Sequence, residues 1–253
     1  MARFWDGLSG YNNGASRNYE DENNQIEFFL SQLESLSLKR LPFSLPGHLA
    51  VDGYYAKARF VNGALALNYH IISKLRKDAN LKYLHQPGST PKKRGRPRIY
   101  AGKFDPQSPD FSRLTFEGEI DKHIRLYSAV VYCVFLHRKI KLVYVQYRKG
   151  KRRGYVLLFS TDLTLSAQFI YRAYTARFQI EFIFRDAKQF TGLTHCQARC
   201  KESLHFHFNV SLSVLNLVRI EHQLQLHKNP QTDSTGFSMA SWKRRYANEL
   251  FLE

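Results

Sequence analysis

Residues 24–37, NQIEFFLSQLESLS, place Ile26, Phe29, Leu30, Leu33 and Leu36 at intervals of three and four. That spacing lines one side of a 3.6-residue turn and predicts an amphipathic helix. After the turn-rich LPFSLPG the pattern changes. HLAVDGYY is a short apolar run that ends at Asp52-Gly53, which predicts a buried strand stopping at the acid. Residues 54–67 predict a helix, and HIISKLR a second strand. Strand, helix and strand in that order imply a partly parallel sheet.

Periodicity is lost near residue 85. HQPGSTPKKRGRPRIYAGKFDPQSPDF has no core pattern and holds five of the eight prolines. From Ile124 to Phe159, β-branched and aromatic runs return: LYSAVVYCVFL, IKLVYVQY and GYVLLFS, divided by Arg138-Lys139 and by RKGKRRG. They predict antiparallel strands with a basic hairpin tip. Thr161 or Asp162 can cap a helix whose pattern runs over about 165–190, and a second helical pattern covers 202–226. Residues 1–23 are polar and aperiodic, and the tail after Asn229-Pro230 is polar with a weak final helix. The pattern divides the chain into 1–84, a basic β-rich block at 85–160, a helical part at 161–226 and a tail at 227–253.

The stretch YTARFQIEFIFRDAKQ, residues 174–189, does not fit a simple amphipathic helix. At about 100° per residue, Tyr174, Arg177, Glu181, Arg185 and Lys188 fall within a sector of roughly 80°. Phe184 borders this stripe on one side, Phe178 and Phe182 on the other, and Ile180, Ile183 and Ala187 cover the back. A helix so apolar is expected to be largely buried, with Asp186 off the stripe. One reading is a ladder of i,i+4 ion pairs from Arg177 to Glu181 to Arg185 on a solvated face. The other is a carboxylate held in a cleft with cations one turn either side, suited to a metal ion and a phosphodiester.

The flanking phenylalanines favour the second, because a solvated ladder is normally bordered by polar residues, and the charge of the whole chain adds a partner. Lys and Arg number 38 against 21 acids, a formal +17, and the segment from His85 to Arg153 holds 17 of those bases against 5 acids. Such a surplus points to a polyanionic partner, nucleic acid before an anionic membrane. No apolar run reaches about 18 residues and Met1 opens no signal-peptide pattern, so a cytoplasmic, soluble protein without membrane contact is expected. Three cysteines, Cys133, Cys196 and Cys200, suit a reducing compartment.

The spacing Tyr174-(2)-Arg177-(3)-Glu181-(6)-Lys188 resembles the Y-R-E-K signature of bacterial insertion-sequence DDE transposases. LLFSTDL before it, TGLTHCQAR after it and the strand HLAVDGYY are similar to the same group, over about residues 45–225. The resemblance implies an α/β fold, a ribonuclease H-like mixed sheet flanked by helices, incomplete at the N-terminus and carrying an inserted basic antiparallel β region. It implies that Asp52 and Glu181 are metal ligands of a two-magnesium site (Mg²⁺ or Mn²⁺). It further implies that Arg177 and Lys188 contact DNA phosphates, supported by Tyr174 and Arg185. The implied activity is cut-and-paste transposition on double-stranded DNA, at terminal inverted repeats and target DNA, by a homodimer in a DNA complex.

Such a site needs three acids, and the first should lie well before the second. Asp6 in FWDGLSG follows no apolar run, so the chain is expected to be a fragment, inactive alone. Two alternatives stay open: a non-catalytic DNA-binding protein derived from a transposase, and a metal-dependent phosphodiesterase acting on RNA. KKRGRPR offers Lys92, Lys93, Arg94 and Arg96 to DNA, either as an AT-hook in A·T-rich minor groove or as non-specific phosphate contacts. His195, Cys196, Cys200, His205 and His207 fit no common zinc spacing and are better explained by structure. Phe104, Phe111, Phe116, Tyr127, Tyr144 and Tyr147 could stack on bases, although those after Ile124 suit a strand core.

Overall fold

The computed structural model describes residues 22–37, 47–85, 98–149, 152–228 and 237–252. They fall into two compact units, one spanning Asp21–Arg177 and one beginning at Phe178. The first unit is built on an eight-stranded mixed sheet. Its strands are β1 (His48–Ala50), β2 (His70–Lys74), β3 (Leu81–Leu84), β4 (Tyr100–Lys103), β5 (Thr115–Asp121), β6 (Ile124–Cys133), β7 (Arg138–Lys149) and β8 (Arg152–Ser160). The order is β1-β2-β8-β7-β6-β3-β4, with β5 also paired to β6. Only β1 and β2 are parallel, joined across a helix, α2 (Ala58–Ala66); every other pairing is antiparallel. The basic block therefore does not stand apart. Its last strand pairs with β2, Ile72 opposite Ser160, and one sheet runs through both.

Alternation along the strands serves two layers. Ile71, Leu142, Leu157 and Phe159 point to one face, where α1 (Glu22–Ser37) and α2 bring Ile26, Phe60, Val61 and Ala64. Ile72, Val143 and Leu158 point to the other, where α3 (Ala167–Ala176) brings Ala167, Ile170 and Tyr174. A strand buried on both faces has no polar positions to alternate, which is why these runs read as nearly continuous apolar stretches. Each such side chain contributes roughly 1.5–3 kcal/mol on burial. Of the other strands, β4 lies in the stretch without a core period, β3 just before it and β5 just after it. β3 and β4 have four residues each, and β5 presents only exposed and half-buried positions.

The second unit is helical: α4 (Gln179–Phe190), α5 (Lys201–Lys228) and α6 (Met239–Leu252). Its core joins Ala187, Leu193, Leu212, Leu215 and Met239, with Phe208 partly buried against them. Gly192, at φ 70°, lets the chain leave α4 in a left-handed turn, and Leu193 N–H then donates to Ala187 O at 3.2 Å. No described helix is long and apolar enough to cross a membrane.

The single helix expected over 165–190 is in fact two. Arg177 and Phe178 keep right-handed dihedrals. Here, however, the bonding shifts to i→i−3: Arg177 N–H donates to Tyr174 O, and Glu181 N–H to Phe178 O. Such 3₁₀-type tightening at a helix terminus is invisible to apolar spacing, which stays helical straight through. The division between the two units falls at this point.

Candidate active site

Asp52 is placed by the end of a parallel strand pair. Val51 N–H donates to Ile72 O at 2.9 Å, so pairing runs one residue beyond β1 before the chain turns. Asp52 is extended (φ −67°, ψ 159°) and opens a 3₁₀ turn, Gly53–Tyr55, without capping it by its carboxylate. Its carbonyl is held from both sides, accepting from Ser73 Oγ at 3.1 Å and from Tyr55 N–H at 3.0 Å. Gly53 suits the next position because a Cβ there would lie 3.3 Å from Lys74 O. The backbone is thus fixed while the carboxylate, 57% exposed, projects outward. The carboxyl ends of parallel strands are where α/β sheets place ligands.

Arg177 reaches the same place from far along the sequence. Ser166 caps α3, its Oγ accepting from Phe169 N–H at 3.2 Å. Glu117 Oε2 accepts from Ala167 N–H at 2.6 Å, and Glu117 is also bound by Ser128 and by Lys141, whose Nζ lies 3.0 Å away. With that end pinned, Tyr174 is buried against the sheet and Arg177 comes one turn later. Arg177 Nη2 lies 4.0 Å from Asp52 Oδ1, with 16% of its side chain exposed. Its guanidinium carbon is 5.6 Å from the centre of the Tyr174 ring. An ion pair this long is worth under about 1 kcal/mol. Its interest lies in concentrating a cation, a carboxylate and a ring at one strand end. Asp52, Tyr174 and Arg177 are therefore brought together within the first unit.

Glu181, Arg185 and Lys188 belong to the second. They stand four and three residues apart on α4, all exposed, and so share one side of the helix. Glu181 sits in the first turn and Lys188 in the last, the ends at which the helix dipole favours each charge. Ile183 and Ala187 on the opposite side, and Phe184 beside the stripe, pack into the core. The expected burial of this helix is corrected here: Phe178, Ile180 and Phe182 are 45%, 46% and 48% exposed. The segment carries more apolar residues than its neighbours in the fold cover.

Arg185 turns away from a simple ladder. Its Nη2 and Nε donate to Asp186 Oδ1 at 2.9 and 3.1 Å, and its guanidinium lies 4.9 Å from the centre of the Phe182 ring. Asp186, buried, was off the charged stripe in sequence, and adjacency in sequence gave no sign of the contact. Glu117 was likewise missed, because its three partners come from β6, β7 and α3. Lys92, Lys93, Arg94 and Arg96 lie outside the described residues, as does Asp6.

Among the described residues no three His, Cys, Asp or Glu side chains are grouped to hold a metal ion. His207 instead bonds the Gly192 and Leu193 carbonyls at 3.0 and 3.3 Å, and Cys200 pairs with Ser203 Oγ at 2.9 Å. The donors singled out in sequence, Asp52 and Glu181, are both exposed or half-exposed carboxylates, hard oxygen ligands of the kind magnesium and manganese prefer.

The model of the transposase DDE domain family matches residues 21–217 of the chain. A search of curated proteins finds no match.

Proposed function

We propose, for a chain that belongs to the transposase DDE domain family, that Asp52 and Glu181 are carboxylates of a divalent-metal site acting on DNA strands. Membership carries transposition and DNA recombination as function, DNA as partner and a divalent metal as the usual cofactor. The observation that supports the assignment of residues is the meeting of Asp52 with Arg177. They are far apart in sequence, yet they converge at the carboxyl end of β1 with Tyr174 behind the guanidinium.

Asp52 and Glu181 would hold Mg²⁺ or Mn²⁺ through carboxylate oxygens; the bound ion would supply Lewis acidity at the scissile phosphate. Arg177 offers a planar fork that matches two phosphate oxygens, and the ring of Tyr174 limits how far it swings. Arg185 and Lys188 add positive charge one and two turns from Glu181. The reaction we assign is cleavage of a phosphodiester at the ends of an insertion sequence. The freed 3′-hydroxyl then attacks target DNA, within a homodimeric complex at the bacterial nucleoid.

A second reading is favoured by the acid count. The family resemblance assigns two carboxylates, Asp52 and Glu181, where this chemistry uses three; on this reading the chain by itself holds DNA without cutting it. The test is a supercoiled plasmid carrying the DNA that flanks this reading frame, incubated with the purified chain and Mg²⁺ or Mn²⁺. The expected result is a gel shift with the plasmid still supercoiled. Nicking abolished by Glu181→Gln would support the catalytic role and reject the second reading. Nicking that survives both Asp52→Asn and Glu181→Gln would remove these residues from the site. No shift at all would end the DNA reading.

A further inference from the structure

We infer that the outer face of β4, β3, β6 and β7 is a docking surface for the backbone of duplex DNA, at the far side of the sheet from Asp52; this rests on the reading that the chain acts on DNA. Register places Lys103 opposite Lys82, Lys82 opposite Tyr132, and Tyr132 opposite Lys139. Residues paired in this way share a face of the sheet, so four neighbouring strands present one row. It is the face opposite Leu81, Tyr83, Val131, Cys133 and Ile140, which fill the core beneath α1 and α2. Lys103 and Lys139 are exposed, and Lys82 and Tyr132 are half-buried.

A run of charge on a sheet is ordinarily a solvated surface balanced by acids, and elsewhere in this unit it is. Lys141 is paired with Glu117, Arg113 with Asp110, Arg125 with Glu119 and Arg76 with Asp78. Among the described residues, Lys82, Lys103 and Lys139 make no such pair. Like charges directly opposite each other on paired strands destabilise the sheet, and Lys82 and Lys103 are so placed. The fold supports them with rings instead. Lys82 Nζ lies 4.9 Å from the centre of the Tyr100 ring, and Tyr100 meets Tyr132 at 5.2 Å. A polyanion would relieve the repulsion that remains.

Four strands span about 14 Å, the length of about four phosphates along one DNA strand. The three ammonium groups stand on hydrogen-bonded backbone, so their spacing is set before DNA arrives. The same contacts decide between forms of nucleic acid. Single strands are held largely by bases stacking on open aromatic faces. Here the rings of Tyr100 and Tyr132 are turned to each other and to Lys82. The surface therefore offers charge in a fixed array rather than a stacking platform, which suits a duplex.

The test is fluorescence anisotropy of a labelled duplex across a salt series, without divalent metal, using the full chain. Removing three phosphate contacts in the Lys82→Gln, Lys103→Gln, Lys139→Gln variant should lower the slope of log affinity against log salt by about 2.7. Affinity at low salt should fall at least about tenfold. Lys103→Gln alone, on an exposed edge position, should lower the slope by about 0.9 with an unchanged thermal melt. A control of equal charge loss, Lys77→Gln, Lys122→Gln, Lys243→Gln, should leave the slope as it is. Equal effects in the two triple variants would overturn the surface, and so would loss of RNA or single-strand binding with duplex binding intact. If the unsubstituted chain binds no duplex, the DNA reading itself falls. If it binds and the first triple changes nothing, only this surface does.

Discussion

Asp52 and Arg177 carry the most information per residue. The pair is too long to matter for stability, so substituting exposed Asp52 should leave the melting temperature nearly unchanged and alter binding. Arg177→Gln is expected to weaken duplex DNA binding about tenfold or more, the worth of one charged hydrogen bond, read by anisotropy at fixed salt. Asp52→Asn removes a negative charge from the same place and should strengthen metal-free binding while weakening binding of Mn²⁺, followed by electron paramagnetic resonance. If Arg177→Gln unfolds the protein instead, the cation belongs to the core. The cysteines give a second check at this scale. Burial pushes the Cys133 thiol up to about 11, whereas at exposed Cys200 the bond with the Ser203 hydroxyl lowers it. Iodoacetamide near neutral pH should therefore modify Cys200 first and reach Cys133 only on unfolding.

The element on which the site depends most is α3, because it delivers Tyr174 and Arg177 to the end of β1. Its N-terminus is held by Glu117, reached from β5. Burial raises the Glu117 pKa, but bonds from Ser128, the Ala167 N–H and Lys141 outweigh it, and the carboxyl titrates below its ordinary value. A depressed folded pKa means the stabilisation is present above the unfolded value, near 4.3, and is lost as pH falls through the lower, folded value. Glu117→Gln should thus cost about 1–3 kcal/mol at neutral pH, and the gap should close in acid; denaturant melts at several pH values would show it. A constant gap would assign the effect to packing. Loss of the anchor should also reduce DNA binding in proportion to Arg177→Gln, since both act on the same guanidinium.

For the whole molecule, the dominant quantity is charge. Of the formal +17, the net contribution of His85–Arg153 is +12, and much of that segment is sheet rather than tail. Binding to duplex DNA should accordingly fall steeply with salt. Replacing Lys92, Lys93, Arg94 and Arg96 with Ala should lower the salt slope by up to about 3.6 whatever the sequence of the duplex. A loss confined to A·T-rich duplexes would instead identify minor-groove readout. An unchanged slope would exclude this segment from DNA contact.

Sequence alone determined a good deal. Helical spacing in NQIEFFLSQLESLS, the strand–helix–strand around Asp52 and the apolar runs of β6, β7 and β8 all appear in the fold, because long periodic segments state their own burial. The motifs around Asp52 and Glu181 marked a resemblance to DDE transposases, and the family model matches at the level of the DDE domain. Three things waited for tertiary structure. The break at Arg177-Phe178 is a change of hydrogen-bond partner, not of side-chain period. Short β3 and β4 acquire their identity only from pairing, β3 with β6 and β4 with β3. The contacts of Asp52 with Arg177, and of Glu117 with α3, join segments far apart in sequence. No local pattern encodes such contacts; they exist because the sheet and the helix on its face bring distant backbone to one place.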